Sequence, residues 1–197
     1  MRAGRGTPLA MRPWRSAEVP MVQSDPRPSV LVVDDEREAL RFAAFLHDLG
    51  KVGVPTDLLL RPGVLAPHER RILEQHPVIG SRLLASLDVP GGVSLALLHH
   101  HEWWDGRGYP DGIAAQRIPL AARIVAVADA FDAMTSDRPY RRALTREVAV
   151  SELRRWAGIQ FDPEIAIEFL ACLEAGLCDI DPQLLADAVG AASPQAA

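Results

Sequence analysis

The six histidines of the chain fall between residues 47 and 101, and five of them invite a chemical reading: His47, His76, His99, His100 and His101. His47 is followed by Asp48 at the end of an apolar run, and the histidine run lies upstream of Asp129, an acid set among alanines and valines. Imidazole and carboxylate without thiolate suit a borderline divalent ion such as iron, manganese, nickel or zinc. A His-Asp pair at a helix C-terminus can turn both side chains into one pocket where the helix unwinds. Read alone, the same dipeptide is an ordinary surface ion pair. Consecutive helical residues are turned by ~100° from one another, so His99, His100 and His101 cannot all face one point and at least one is a bystander. His68, in "APHER" at a helix start, reads as a solvated polar residue. Beside the His-Asp pair stands Lys51, the only lysine in a chain with 21 basic residues.

Those groups must be positioned by helices. Residues 36–49, "EREALRFAAFLHDL", place Ala39, Leu40, Ala43, Ala44 and Leu46 near a 3.6 period, with acids in the first turn and Gly50 and Gly53 beyond the end. Pro67 opens a helix toward His76, "IGSRLLASL" reads as another, and "VSLALLHH" as a short buried helix ending at His101. "AARIVAVADAFDAMTS" is strongly apolar on one side. Thr145 is a plausible N-cap for "REVAVSELRRWAG". "FDPEIAIEFLACLEAG" has Asp162 as N-cap, Pro163 at the first helical position and Gly176 past the end. With seven or so helices and no strand pattern except "SVLVV", the fold class is all-α, a helical bundle. Residues 102–119 break the pattern: a long connection without helical period, of the kind that more often carries function than not.

Composition narrows the partners. The chain has 197 residues, 48% of them hydrophobic, enough for one domain with a core. A net charge of -5 argues against a nucleic-acid polymer, while leaving room for a small anion held by a few cations. Cys172 and Cys178 read as free thiols. No apolar stretch approaches the ~20 residues of a membrane span, so no membrane is expected and a cytoplasmic location is. Residues 1–29, rich in Arg and Pro, read as a disordered leader, and 179–197 as a C-terminal tail.

Taken in order, HDxGK, a histidine 29 residues beyond His47, HHE, WDGxGYPDG and an aspartate within an apolar helix form too specific a series for chance. Residues 36–178 resemble the HD-GYP family, a bacterial signal-transduction branch of the HD-domain metal-dependent phosphohydrolases. The matching pieces are "AAFLHDLGKVGVP", "EQHPVIG", "LLHHHEWWDGRGYPDG", "IPLAARIVAVADAFDAMTSDRPYR" and "GIQFDPEIAIEFL". The resemblance implies an HD-domain-like bundle and hydrolysis of cyclic di-GMP to pGpG and GMP by a metal-bridged hydroxide. It implies two or three divalent ions, iron or manganese, on His47, Asp48, His76, His100, His101 and Asp129, with His99 the bystander. Asp48 and Lys51 would be catalytic, the one bridging metals and the other neutralising a phosphate oxygen. Gly108, Tyr109 and Pro110 would line the opening, and Asp132, Arg138 and Arg141 would contact substrate. An ammonium is a compact point charge where a guanidinium is a wide planar fork, which suits Lys51 to that place.

One part of the family pattern is missing. Members carry a helix upstream of the HD helix whose Glu and His complete the metal cluster, and here no histidine precedes His47. In its place "SVLVVDDEREAL" resembles the first strand and acidic turn of a two-component receiver domain, a remnant over residues 30–35. Either a segment joining receiver and HD-GYP domain has been lost, or the likeness is coincidental. Asp34 and Asp35 cannot form a working receiver pocket, though one could swing toward an open metal position. The domain is then N-terminally truncated relative to the family, with an apolar face exposed or covered by a partner chain. Two functions compete: an active cyclic di-GMP phosphodiesterase, and a catalytically impaired module binding cyclic di-GMP or a GGDEF-domain partner. A homodimer is a further expectation. An HD phosphohydrolase for another nucleotide is disfavoured by the GYP loop, and a phospho-relay role by the shortness of the remnant.

Overall fold

The computed structural model describes residues 34–85, 87, 89, 92–138 and 141–177. The expected leader, the "SVLVV" run, Cys178 and the tail over 179–197 lie outside them. Among the described residues the chain is helical, as expected. The only β features there are two isolated bridges, Arg138 with Arg141 and Ala157 with Phe161.

Helix α1 (Asp34–Leu46) buries Ala39 and Ala43. It stops three residues short of the expected end, because His47 and Asp48 form a turn that leads into a 3-10 turn over Leu49–Gly53. The reason lies at Gly50, whose backbone is pressed against α4 (His76–Leu84). A Cβ built there would stand 1.8 Å from the His76 carbonyl oxygen and 2.5 Å from the Gly80 amide nitrogen. A continued helix would carry its side chains into that contact.

After the short α2 (Thr56–Leu59), the helix opened by Pro67 is α3 (Pro67–Leu73), and the next, α4, starts at His76, three residues before the expected "IGSRLLASL". Helix α5 (Val93–His99) ends two residues earlier than the apolar pattern suggested, with His100 as its C-cap and His101 in the turn that follows. Helix α6 (Leu120–Thr135) is the axis of the bundle. Its Val125 joins Ala39, Ala43, Leu84, Val93, Ala96 and Leu97 in one core cluster. Val127 joins Leu153, Phe161, Ala166, Leu170 and Leu173 in a second. Ala122, Val125 and Val127 are its buried residues, while Leu120, Ala128 and Asp132 are exposed.

The second cluster is closed by α7 (Arg146–Trp156) and α8 (Pro163–Glu174), both capped as their sequences indicate. Thr145 Oγ1 accepts from the Val148 amide at 3.4 Å, and Asp162 Oδ1 from the Glu164 amide at 2.9 Å. Asp162 is buried, and its other oxygen pairs with Arg123 of α6 at 2.6 Å, tying the start of α8 to the axis. Cys172 is a free, partly buried thiol on α8, as expected.

The 102–119 connection holds no α-helix, only a 3-10 turn over Ala115–Arg117. It is nevertheless anchored: the Trp104 and Asp105 amides donate to the Gln160 and Ile159 carbonyls at 3.0 Å each, and the Ala115 amide to the Trp104 carbonyl at 2.9 Å. No helix among the described residues is long and apolar enough to cross a membrane. On α1, Phe42 is 44% and Phe45 86% exposed, so an apolar face stands open there.

Gly50→Ala is expected to destabilise the protein by about 3 kcal/mol or more, since the added methyl meets backbone that cannot yield. Gly53→Ala, whose Cβ would meet only the flexible Ile79 side chain at 3.0 Å, is expected to cost much less. Urea unfolding of the two variants checks the contrast, and equal losses would contradict it.

Candidate metal centre

Helix ends deliver most of the candidate ligands. His47 and Asp48 occupy the turn after α1, His76 begins α4, and His100 and His101 follow α5. Asp129 comes instead from the body of α6, two residues beyond Val127.

Three of these imidazoles are held in the same way. His47 Nδ1 lies 2.7 Å from the Ala44 carbonyl oxygen, His76 Nδ1 2.8 Å from that of Leu73, and His100 Nδ1 2.7 Å from that of Leu97. A carbonyl oxygen only accepts, so each Nδ1 carries the proton and donates it, and in the neutral ring Nε2 keeps a free lone pair.

Those lone pairs meet. His76 Nε2 lies 3.4 Å from His100 Nε2 and 3.6 Å from Asp48 Oδ1. His47 Nε2 lies 3.5 Å from Asp48 Oδ2 and 3.6 Å from Asp129 Oδ1. The His101 ring stands 4.1 Å from that of His100 and 5.0 Å from that of His76, centroid to centroid. His76, His100 and His101 each offer a ligand atom within 4.8 Å of the others. Two facing lone pairs share no proton, and the carboxylates sit beyond hydrogen-bond length. A positive centre between them would satisfy every group, so the donor set fits divalent metal. All six expected ligands are brought together.

Electrostatics agree with neutral ligands around an anionic edge. Burial lowers His76 below its ordinary pKa, and lowers His100 to about 4 and His101 to about 2, the neighbouring imidazoles adding to the effect for the latter two. His47 moves the other way, raised chiefly by Asp129 against its own burial. Burial would raise Asp129, but the contact with His47 and the surrounding imidazoles outweigh it and bring the carboxyl down to about 2.

Lys51 Nζ donates to Asp48 Oδ2, so the lone ammonium sits at the edge of the cluster with its side chain 37% exposed. The Tyr109 ring stacks on His101 at 4.9 Å, its amide donates to the His101 carbonyl at 3.2 Å, and its bond to Pro110 is cis. Gly108 is required there, because a Cβ would stand 2.2 Å from the Trp103 nitrogen and 2.4 Å from the Glu102 Cα. Gly108, Tyr109 and Pro110 therefore border the cluster. Asp132, Arg138 and Arg141 do not enter it. Asp132 is exposed and accepts from Ser136 Oγ at 3.1 Å, while Arg138 and Arg141 exchange backbone hydrogen bonds beyond α6. The Arg141 guanidinium donates to the Ala133 carbonyl near the end of that helix.

His99, the expected bystander, faces a different set. Its Nδ1 lies 3.7 Å from Glu102 Oε1 and 3.9 Å from Asp111 Oδ2. Sequence reading gave those two acids no role. The signal was present in the adjacency of Glu102 to the histidine run and of Asp111 to the GYP segment. His68 is exposed, as its position suggested.

Residues 30–165 match the HD domain family. A cyclic di-GMP phosphodiesterase of Thermotoga maritima is 45% identical over 144 residues, covering 72% of this chain and 39% of that protein. A cyclic di-GMP phosphodiesterase response regulator of Xanthomonas campestris pv. campestris is 45% identical over 133 residues, covering 66% of this chain and 35% of that protein. The chain thus spans under two fifths of the length of these curated relatives. A crystal structure of a cyclic GMP-AMP specific phosphodiesterase of Vibrio cholerae superposes with a TM-score of 0.56 at 19% identity, covering 79% of this chain and 41% of that one. That likeness concerns the fold.

Asp129→Asn is expected to lower the affinity for Mn(II) at least tenfold with the far-ultraviolet circular dichroism unchanged; titration calorimetry checks it. In metal-free protein, His100 binds its proton near 4 when folded and near 6.5 when unfolded, so stability should fall as pH drops through that window. The His100 contribution is about 3 kcal/mol, partly offset by the raised His47. A melting temperature that stays flat from pH 7 to 4 would contradict it.

Proposed function

The chain belongs to the HD-domain family, and on that premise we propose that it is a metal-dependent phosphodiesterase of the HD-GYP branch, hydrolysing cyclic di-GMP to pGpG and GMP. The observation that carries the reading is the convergence of four imidazoles and two carboxylates beside a single ammonium, under a GYP segment stacked on one of the imidazoles. The names of the relatives at 45% identity support the substrate.

His47, Asp48, His76, His100, His101 and Asp129 would hold the metal, two or three ions of iron or manganese. Bound there, such ions polarise phosphoryl oxygens and lower the pKa of water to about 7. The chain supplies the rest. His47, His76 and His100 arrive with their lone pairs already aimed, so little reorganisation accompanies loading. Asp48 presents one oxygen toward His76 and the other toward His47, the disposition of a bridging carboxylate. Lys51, partly open to solvent and tethered to Asp48, is placed to meet a phosphate oxygen as it enters. Tyr109 covers His101 and keeps water from that side. Asp132, Arg138 and Arg141, exposed around the end of α6, would grip the parts of the substrate farther from the metals, the guanidinium forks suiting a second phosphate. Family resemblance supports docking of the GYP surface to a GGDEF-domain protein. The open Phe42 and Phe45 face supports a homodimer.

A second reading is a catalytically impaired module, which would bind cyclic di-GMP or a GGDEF-domain partner without turning it over. Turnover of cyclic di-GMP by protein loaded anaerobically with Fe(II) or Mn(II) separates the two. Formation of pGpG or GMP, abolished by Asp48→Ala and reduced at least a hundredfold by Lys51→Ala, is expected. Folded, metal-loaded protein that binds cyclic di-GMP and yields no product would establish the binding module instead.

A further inference from the structure

We infer that His99, Glu102 and Asp111 form a second divalent-cation site, separate from the six-residue centre, at the root of the 102–119 connection. The three residues each offer one ligand atom, all within 4.8 Å of one another. The separations from His99 Nδ1, 3.7 Å to Glu102 Oε1 and 3.9 Å to Asp111 Oδ2, are too long for hydrogen bonds. They are close to what a cation leaves between its donors: two atoms held about 2.1 Å from a tetrahedral ion stand roughly 3.4 Å apart.

Burial makes the gap chemically significant. His99 Nδ1 and Glu102 Oε2 are both buried and lack a hydrogen-bond partner, in side chains only 10% and 0% exposed. An unpaired carboxylate oxygen out of reach of water is a costly arrangement unless a positive group shares its space. The contrast with the neighbouring histidines is informative. His47, His76 and His100 each spend Nδ1 on the carbonyl three residues back, whereas His99 leaves the same atom free and turned toward two acids.

The remaining features are those of a site with an entrance and a support. Asp111 has a side chain 57% exposed, so the cluster opens to solvent on that side. Glu102 Oε1 accepts the Asp111 amide at 2.8 Å, which fixes the acid-bearing backbone against the carboxylate that would share its ion. One imidazole and two carboxylates suit zinc and its first-row neighbours, with a coordination position left for water. The bound ion would join the end of α5 to the segment just beyond Gly108, Tyr109 and Pro110, and so hold that segment in place from the side away from the six-residue centre.

The test is to crystallise the full chain with Zn(II) and to map anomalous scattering at the zinc edge. A peak is expected among His99 Nδ1, Glu102 and Asp111, in addition to scattering at His76, His100 and His101. In Asp111→Ala, whose side chain is exposed and leaves the core untouched, the first peak should vanish and the others remain. Zinc content in solution should fall by one equivalent per chain in that variant and in His99→Gln. Ordered water or empty space among the three residues in the zinc-grown crystal would overturn the proposal, whatever the other centre holds. So would a zinc content unchanged by Asp111→Ala.

Discussion

The contact on which the site depends is between two stretches of backbone. Gly50 lies against the first turn of α4 so closely that no side chain fits between, and Gly80 faces it from the other side with its own missing Cβ only 3.1 Å from the Gly50 nitrogen. Main chain touching main chain at this point leaves no slack in how the 3-10 turn sits on α4. The turn carries Asp48 at its entrance and α4 carries His76 at its start, so the glycine contact fixes the distance between two ligands that are 28 residues apart in sequence. It also explains why α1 cannot run on through the His-Asp pair. The unwinding that frees those two side chains follows from the close packing two residues later.

Helix α6 plays the complementary part. Its consecutive faces seal both core clusters, one through Val125 and the other through Val127, and Asp129 follows on the same rigid element. The Arg123–Asp162 pair ties that element to the start of α8 at low exposure. A carboxylate that must meet His47 at a set distance is thereby anchored to the helix shared by both core clusters, while the histidines come from helix ends and turns. The cluster combines one candidate ligand on a stiff axis with five on termini whose positions are set by close contacts.

The sequence disclosed the chemistry better than the geometry. The helical class and the caps at Thr145 and Asp162 could be read from residue type and period, and the six candidate ligands from the family resemblance. Helix ends were less legible. Nothing local in "FLHDLGK" says that α1 stops at Leu46, because the cause is a glycine meeting a backbone nearly thirty residues further on. The two helices of the 67–84 stretch were legible, but the start of the second at His76, three residues before Ile79, was not, since no cap residue marks it. Helical spacing required that one of three successive histidines face away from the other two, and His99 does face a separate set, although only His99 of the three lies within α5. Spacing could not show that the one left out would be buried beside two acids, for those meet it only through the fold of a loop with no periodic signal.

The way the three imidazoles use their Nδ1 atoms has a consequence for how such a chain can change over time. The carbonyls of Ala44, Leu73 and Leu97 belong to the last turns of α1, α3 and α5, where the helix ladder leaves acceptors without donors. Each of these ligands therefore also caps the helix it terminates. Exchanging one for aspartate or glutamate, acceptable to many ions as a donor, would put an acceptor where a donor is needed and fray the terminus that aims it. With the proposed ion in place, the histidines at these positions would meet two independent demands, one from the ion and one from the backbone, and drift toward another ligand type would have to satisfy both at once.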